Sequence, residues 1–367
     1  MASQPSAPSA TRHVFLALDL LRGIAALIIA MGHAEILFGF HPGSGYLSVD
    51  LFFVLSGFVL AYAYDNRIAG GMSVSRFMAV RLIRLYPLYF LALACFSFAL
   101  LLAYFVGGHT SWSPGSLAVA GILALCFLPT PGGIGPRDAI YPLNTPAWSL
   151  AFELIVNFVF VAVWRFLSIR VLSITVAAAG AALIVSACYY GSLATGSNWA
   201  TALGGFPRVF FSFPLGVLLF RLYDRHNFRL PGGTLPPLLA MLVVLCVEPT
   251  QAFRALYDLV CVLLVFPPLV LAAASAKPGK FAFFCHWIGG ISYAVYALHF
   301  PIFEFTLSLL KKAVHDDLAP LRPWAGVAFI VAVCLVAHLA DLVVDVPARK
   351  WLSARLPRRC ATAPGRS

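Results

Sequence analysis

The feature that most constrains this chain is a series of long apolar runs, near 14–36, 47–65, 82–106, 146–164, 171–190, 206–222, 235–250, 257–275, 287–310 and 324–345. An α-helix needs roughly 20 such residues to cross ~30 Å of hydrocarbon, where the backbone must satisfy its own polar groups. The chain is 61% hydrophobic and 11% charged, against about 25% charged in soluble domains. The expected fold is therefore all-α and integral to the lipid bilayer, a polytopic bundle of about 10 transmembrane helices. An eleventh apolar stretch, 117–128, is short and runs into the breaker-rich PTPGGIGP at 129–136. It is expected to re-enter the bundle without crossing.

Charge distribution orients the bundle. If 117–128 does not cross, Arg165 and Arg170, Arg221, Arg225 and Arg229, Lys277 and Lys280, and the basic tail share one side with Arg12 and Arg67 to Arg84. The opposite loops 37–46 and 190–205 contain no Lys or Arg, while 311–323 is mixed. Excess Lys and Arg marks the cytoplasmic side, so both termini are expected there. The net charge of +11 owes much to Arg349, Lys350, Arg355, Arg358, Arg359 and Arg366, behind the last apolar run. That placement fits a membrane flank and not a nucleic-acid partner. The first run holds Asp19 and Arg22 and lacks an A-x-A site, so it is expected to be retained as a span. The organisation expected is a disordered N-terminal segment 1–12, one membrane domain over 13–350 and a basic tail 351–367. Eight cysteines show no C-x-x-C or His/Cys ligand spacing, so they read as small core residues and no metal is expected.

Within the first run, LDLLRGIAALIIAMGHAEIL at 18–37, sit Asp19, Arg22, His33 and Glu35. A charge in hydrocarbon costs on the order of 3 kcal/mol or more. Arg22 and His33 are eleven residues apart, three helical turns plus about 20°, which puts them on one face ~16 Å apart. Asp19 shares that face, whereas Glu35 lies well away from His33. The stripe must look into the bundle, either as a structural pair with a structural histidine or as a functional site.

Further polar blocks read two ways each. VDLFFVLSGF at 49–58 carries Ser56 and Gly57 in mid-membrane, where small residues let helices pack closely. RFMAVRLIRLYP at 76–87 places Arg81 and Arg84 one turn apart, as topology anchors or as two guanidinium forks suited to phosphate. NTPAWSLAFELIVN at 144–157 sets Ser149 and Glu153 as i,i+4 partners behind Trp148 at a helix entry. ISYAVYALHFPIFE at 291–304 buries His299 beside Pro301, and the last run carries His338, Asp341 and Asp345 as polar glue or as something more.

Taken together and in this order, Arg22-x10-His33, FFVLSGF, Arg81-x-x-Arg84, PAWSLAFE and SYAVYALHFP resemble the membrane acyltransferase 3 family, over about residues 14–350. Its bacterial members O-acylate sugar hydroxyls of cell-surface glycans and some secondary metabolites. The resemblance implies an integral-membrane O-acyltransferase of the bacterial cytoplasmic (inner) membrane, with acyl-CoA, acetyl-CoA foremost, as donor substrate and a carbohydrate acceptor. It implies no tightly bound cofactor. His33 matches the family's catalytic histidine, Arg22 its arginine partner, and Arg81 and Arg84 the pair linked to acyl-CoA. Ser56, Gly57 and Glu153 fall on motif positions, and with Asp19 and His299 are candidates to line the site. DVP at 345–347 departs from the frequent Glu-x-Pro, so no catalytic role is expected of Asp345. Acyl transfer to an alcohol needs a base near neutral pKa, which His33 supplies; it is equally able to carry the acyl group as a nucleophile. The alternative class is a transporter or channel built on the same intramembrane charges, but the chain shows no repeated halves.

Overall fold

The computed structural model describes residues 15–105, 112–135, 138–226, 233–277 and 279–356. The N-terminal segment 1–12, Arg229 and most of the basic tail lie outside the described residues. Among the described residues nine helical segments are long and apolar enough to cross a membrane: α1 Leu16–His33, α2 Gly45–Ala69, α3 Val74–Phe105, α5 Ala147–Phe166, α6 Ile169–Tyr190, α7 Trp199–His226, α9 Gln251–Ser275, α10 Ala282–Ala313 and α11 Trp324–Ala354. Two apolar helices are shorter, α4 Pro114–Leu125 and α8 Leu235–Cys246. The chain is thus an all-α, multi-pass membrane protein.

The run expected at 235–250 yields only the 12 helical residues of α8, about 18 Å of rise against ~30 Å of hydrocarbon. Its start is fixed by Pro236 and Pro237 in the first turn, where the missing N–H costs nothing. Glu248 and Pro249 follow its end. That end still reaches the loop between α1 and α2, since the Val247 carbonyl accepts from the Ser44 hydroxyl at 3.0 Å.

Two polar knots define the ends of the bundle. At one, Arg208 pairs with Asp50 at 2.6 Å, with side chains 2% and 0% exposed. Arg208 also donates to the carbonyls of Thr195 and Tyr46. Asp258 accepts from the Tyr46 hydroxyl and the Leu193 N–H, both at 2.7 Å. This knot fastens loops 37–46 and 190–205 together. At the other end Asp65 accepts from Arg221 and from the Trp164 indole, and Arg221 also donates to the Leu167 carbonyl. The chain around Asp65, Trp164, Leu167 and Arg221 therefore meets at one end and loops 37–46 and 190–205 at the other, as the Lys and Arg count predicts, while the mixed loop 311–323 reaches the second end, where Arg322 donates to the Ile36 carbonyl.

α4 behaves as its length demands. Its last carbonyls, those of Ala124 and Leu125, accept from Tyr89 and Tyr86 about halfway along α3. The chain then turns back, and the Ile140 N–H reaches the Ser197 carbonyl at 3.1 Å in the uncharged-loop end. It enters and returns without crossing.

Close helix pairs rest on glycine. A Cβ on Gly57 would strike the backbone of α7 at Phe213, and one on Gly216 the backbone of α2 at Val54. A Cβ on Gly23 would meet the Ile288 backbone of α10, and one on Gly289 would overlap Asp19 of α1. In lipid, where apolar surfaces gain nothing by leaving the solvent, such close van der Waals contact is what holds helices together.

Cysteine-accessibility labelling in sealed vesicles is expected to report 37–46 and 190–205 on one side and 165–170 on the other. Finding 165–170 on the same side as 190–205 would mean that the Pro114–Leu125 segment spans after all.

Candidate active site

The polar stripe of α1 meets α10 along its length. Near one end Arg22 pairs with Asp19 at 2.8 Å and donates to Ser292 Oγ at 2.9 Å and to the Gly289 carbonyl at 2.8 Å. Three turns on, at the last residue of α1, His33 Nδ1 lies 3.1 Å from Nε2 of His299. The same Nδ1 is 3.1 Å from the Ile29 carbonyl. One helix face thus carries Asp19, Arg22 and His33, as their spacing requires. Glu35 lies beyond the helix end, with an oxygen 3.9 Å from His41.

Beside this seam opens a cavity of about 210 Å³, lined by Arg22, Arg81, Arg84, Ser56, Glu153, Ser149 and Tyr293, with Phe52 and Tyr296 toward the histidines. Three sequence-distant blocks converge on Glu153, whose Oε1 accepts from Ser56 at 2.8 Å and from Arg81 at 2.6 Å. Arg84, one turn along α3, goes elsewhere: it pairs with Asp345 of α11 at 3.2 Å and lies 5.5 Å from the centre of the Tyr293 ring. Asp345 is fully buried and is held by Arg349 as well, at 3.1 Å. Each cavity arginine therefore has its own carboxylate, which burial of a charge demands. Arg81 Nε is buried and has no hydrogen-bond partner among the described residues.

The cavity narrows at Tyr296, whose hydroxyl is 2.6 Å from Ser149 Oγ; both hydroxyls are 3.1 Å from the Pro146 carbonyl. The Tyr296 and His299 rings are 5.9 Å apart, centre to centre, on successive turns of α10. His33 and His299 thus sit just past the cavity wall and are not part of its lining.

Several expectations change. Ser149 does not bond Glu153; from the first turn of α5 it reaches Tyr296 and its own Pro146 carbonyl. Gly57 does not line the cavity, because its bare Cα faces the α7 backbone. Ser56, its neighbour, does line it. Ser292, Tyr293, Tyr296 and Phe52 were not singled out as site residues. The offsets of four and seven from Ser292 to Tyr296 and His299 were a legible signal, since they mark one helix face. Asp345 joins the site as the carboxylate that steadies Arg84.

The family whose sequence model matches is described as an acyltransferase domain, and the match covers residues 15–340. "Protein 2 in picA locus" of Rhizobium radiobacter is 46% identical over 154 residues, 40% of this chain and 80% of that protein. "Acyltransferase MdmB" of Streptomyces mycarofaciens is 26% identical over 348 residues, 87% of this chain and 84% of its own length. No solved structure matches the chain.

The Arg81–Glu153 pair, 13% and 17% exposed, makes a stability prediction. Glu153→Ala strands the guanidinium and is expected to cost about 3–5 kcal/mol, whereas Glu153→Gln keeps an oxygen for Ser56 and Arg81 and should cost less. Thermal unfolding in detergent gives the ranking, and a Glu153→Ala protein as stable as wild type would refute it.

Proposed function

Because this chain belongs to the membrane acyltransferase 3 family and is an enzyme that transfers acyl groups, we propose that it is an O-acyltransferase moving a short acyl group, such as acetyl, from acyl-CoA to a carbohydrate hydroxyl. The observation that carries this reading is the cavity holding Arg22, Arg81 and Arg84 immediately beside the His33–His299 pair. Acyl-CoA is a polyanion with a long thin arm. Planar guanidinium forks recognise phosphate and carbonyl oxygens in pairs, which a compact ammonium does not. Arg81 and Arg84 meet the donor from the Arg- and Lys-rich end, the cytoplasmic side in the proposed orientation, where both termini also lie. The thioester extends past Tyr296 toward His33, and the glycan enters from the end with the uncharged loops.

In the proposed reaction His33 takes the proton of the acceptor hydroxyl as its oxygen attacks the thioester carbonyl carbon. The tetrahedral intermediate expels the CoA thiolate, breaking the C–S bond. The proton held on His33 then goes to sulfur, leaving ester, free CoA thiol and neutral imidazole. A base near neutral pKa supplies about 10²–10⁴ in rate to such a step. The membrane addressed is the bacterial cytoplasmic membrane, and the acceptor class is a surface glycan such as exopolysaccharide or lipopolysaccharide.

Purified protein given radiolabelled acetyl-CoA and glycan tests the reading. His33→Ala is expected to keep its fold and its donor affinity while turnover drops at least ~100-fold; near-wild-type transfer by that variant would remove His33 from the mechanism. If His33 instead carries the acyl group, quenching before acceptor is added should leave label on the protein, and that label should vanish in His33→Ala.

Arg81→Ala and Arg84→Ala should each weaken acyl-CoA binding by roughly 1.5–3 kcal/mol, the scale of a charge-assisted hydrogen bond. Extra donor should restore part of the rate. Unchanged donor affinity in a well-expressed variant would return these arginines to topology anchors.

A further inference from the structure

The two histidines are bonded in a way that assigns their protons. His299 is fully buried, and its Nδ1 lies 3.1 Å from the Val295 carbonyl, one turn back on α10. A carbonyl oxygen only accepts, so His299 Nδ1 carries the hydrogen and, in the neutral ring, its Nε2 is a bare lone pair. That lone pair is 3.1 Å from His33 Nδ1, which also faces the carbonyl of Ile29 at 3.1 Å. With two acceptors in front of it, His33 Nδ1 must be the N–H. The basic nitrogen of His33 is then Nε2. The reverse arrangement, with a hydrogen on His299 Nε2, would point the His33 Nδ1 lone pair at the Ile29 oxygen and set two lone pairs against each other.

From this geometry we propose that His299 is a positioning residue. It accepts from His33 Nδ1–H, fixes that tautomer and the angle of the ring, and so presents Nε2 as the reacting nitrogen. The inference rests on the reading of His33 as the reacting group, and it deepens that reading. The Ile29 carbonyl alone does not suffice. It accepts from a side chain on its own helix, one turn on, so it leaves the ring tilt to be set from outside, and His299 approaches from the other helix. Its role parallels that of the third member of a catalytic triad, which orients the imidazole and favours the imidazolium. Here the orienting group is a neutral ring. When Nε2 takes the acceptor's proton, the Nδ1–H bond to His299 becomes charge-assisted and strengthens at the moment positive charge appears. The packing holds this arrangement: the His33 and His299 ring centres are 5.1 Å apart, and Phe300 stands edge-on to His33 at 5.7 Å.

The test uses the full-length protein in detergent or nanodiscs. ¹⁵N-histidine labelling, with His33 assigned by difference against His33→Ala, is expected to show a protonated Nδ1 and a bare Nε2; a protonated Nε2 on neutral His33 would overturn the proposal. His299→Leu removes the acceptor and should lower kcat at least about tenfold, as expected when an imidazole loses its tautomer control. KM for acyl-CoA should stay within about twofold, because the donor cavity does not include His299. His299→Gln, whose side-chain oxygen can reach the position of Nε2, should restore most of the rate. A wild-type kcat in His299→Leu, or equal losses in Leu and Gln variants, would overturn the role. If His299→Leu fails to fold, the tautomer measured on the wild-type protein decides alone. The outcomes separate the two claims. An active His33→Ala removes the base itself, whereas an inactive His33→Ala with a fully active His299→Leu removes only the positioning.

Discussion

The distance between α1 and α10 is set by two glycines, and the polar contacts of the site depend on it. Gly23 lies against the Ile288 backbone and Gly289 against Asp19, so neither position has room for a methyl group. At that separation Arg22 reaches Ser292 and the Gly289 carbonyl, and three turns away the two imidazoles fall within hydrogen-bond distance. Push the helices apart by the width of a side chain and both contacts fail together. The glycines are therefore tied to chemistry as well as packing, although neither touches the cavity.

Charge pairing is the second constraint, and it follows from the first. Arg22 is partly buried between α1 and α10, and the other guanidiniums that border the same cavity are likewise partly withdrawn from solvent, where an unpaired charge is penalised. Each has a carboxylate from a different helix: Asp19 on α1 itself, Glu153 on α5, Asp345 on α11. These pairs tie α3 to α5 and α11, and Ser56 adds α2 through the same Glu153 oxygen. Paired guanidiniums remain usable by an anionic ligand, because each keeps N–H groups beyond those its carboxylate takes. Pairing also lowers the net positive charge, so the proposed recognition of a polyanion would depend on directed donors more than on a bulk field.

The sequence made the apolar spans, the re-entrant α4 and the common face of Asp19, Arg22 and His33 legible, because each follows from length or period along one helix. The Lys and Arg count likewise predicts which loops lie together. Partner choice was not legible. Arg81 and Arg84 are one turn apart, yet they choose carboxylates 192 residues apart in the chain, Glu153 and Asp345. Nothing local encodes that. Ser149 and Glu153 have the spacing of partners, but Ser149 sits in the first turn, where its own Pro146 carbonyl and the hydroxyl of Tyr296 are nearer. Hydropathy does not register the two prolines and the Glu-Pro that confine the helix of the run at 235–250 to Leu235–Cys246, although the chain still passes from the Arg221 end of the bundle to the Ser44 end between α7 and α9. Gly57 looked like part of a site motif because it adjoins Ser56, and only the α2–α7 contact separates their roles.

The separation of cavity from histidine pair has a chemical consequence for the proposed reaction. A thioester in a wet site beside an active base would hydrolyse. Here the wall between them is the Tyr296–Ser149 hydroxyl pair, with the Phe52 ring edge-on to Tyr296 at 5.6 Å. Both hydroxyls also lie 3.1 Å from the Pro146 carbonyl, so their hydrogens are taken up by that oxygen and by each other. Tyr296 shares α10 with His299, one turn below it. Any shift of that helix turn which lets an acyl group pass Tyr296 also moves His299, and with it the ring of His33. In the proposed reaction, admission of the donor and alignment of the base would thereby fall to neighbouring turns of one helix, at Tyr296 and His299, and the contacts of Arg22 with Ser292 and the Gly289 carbonyl tie that helix to α1.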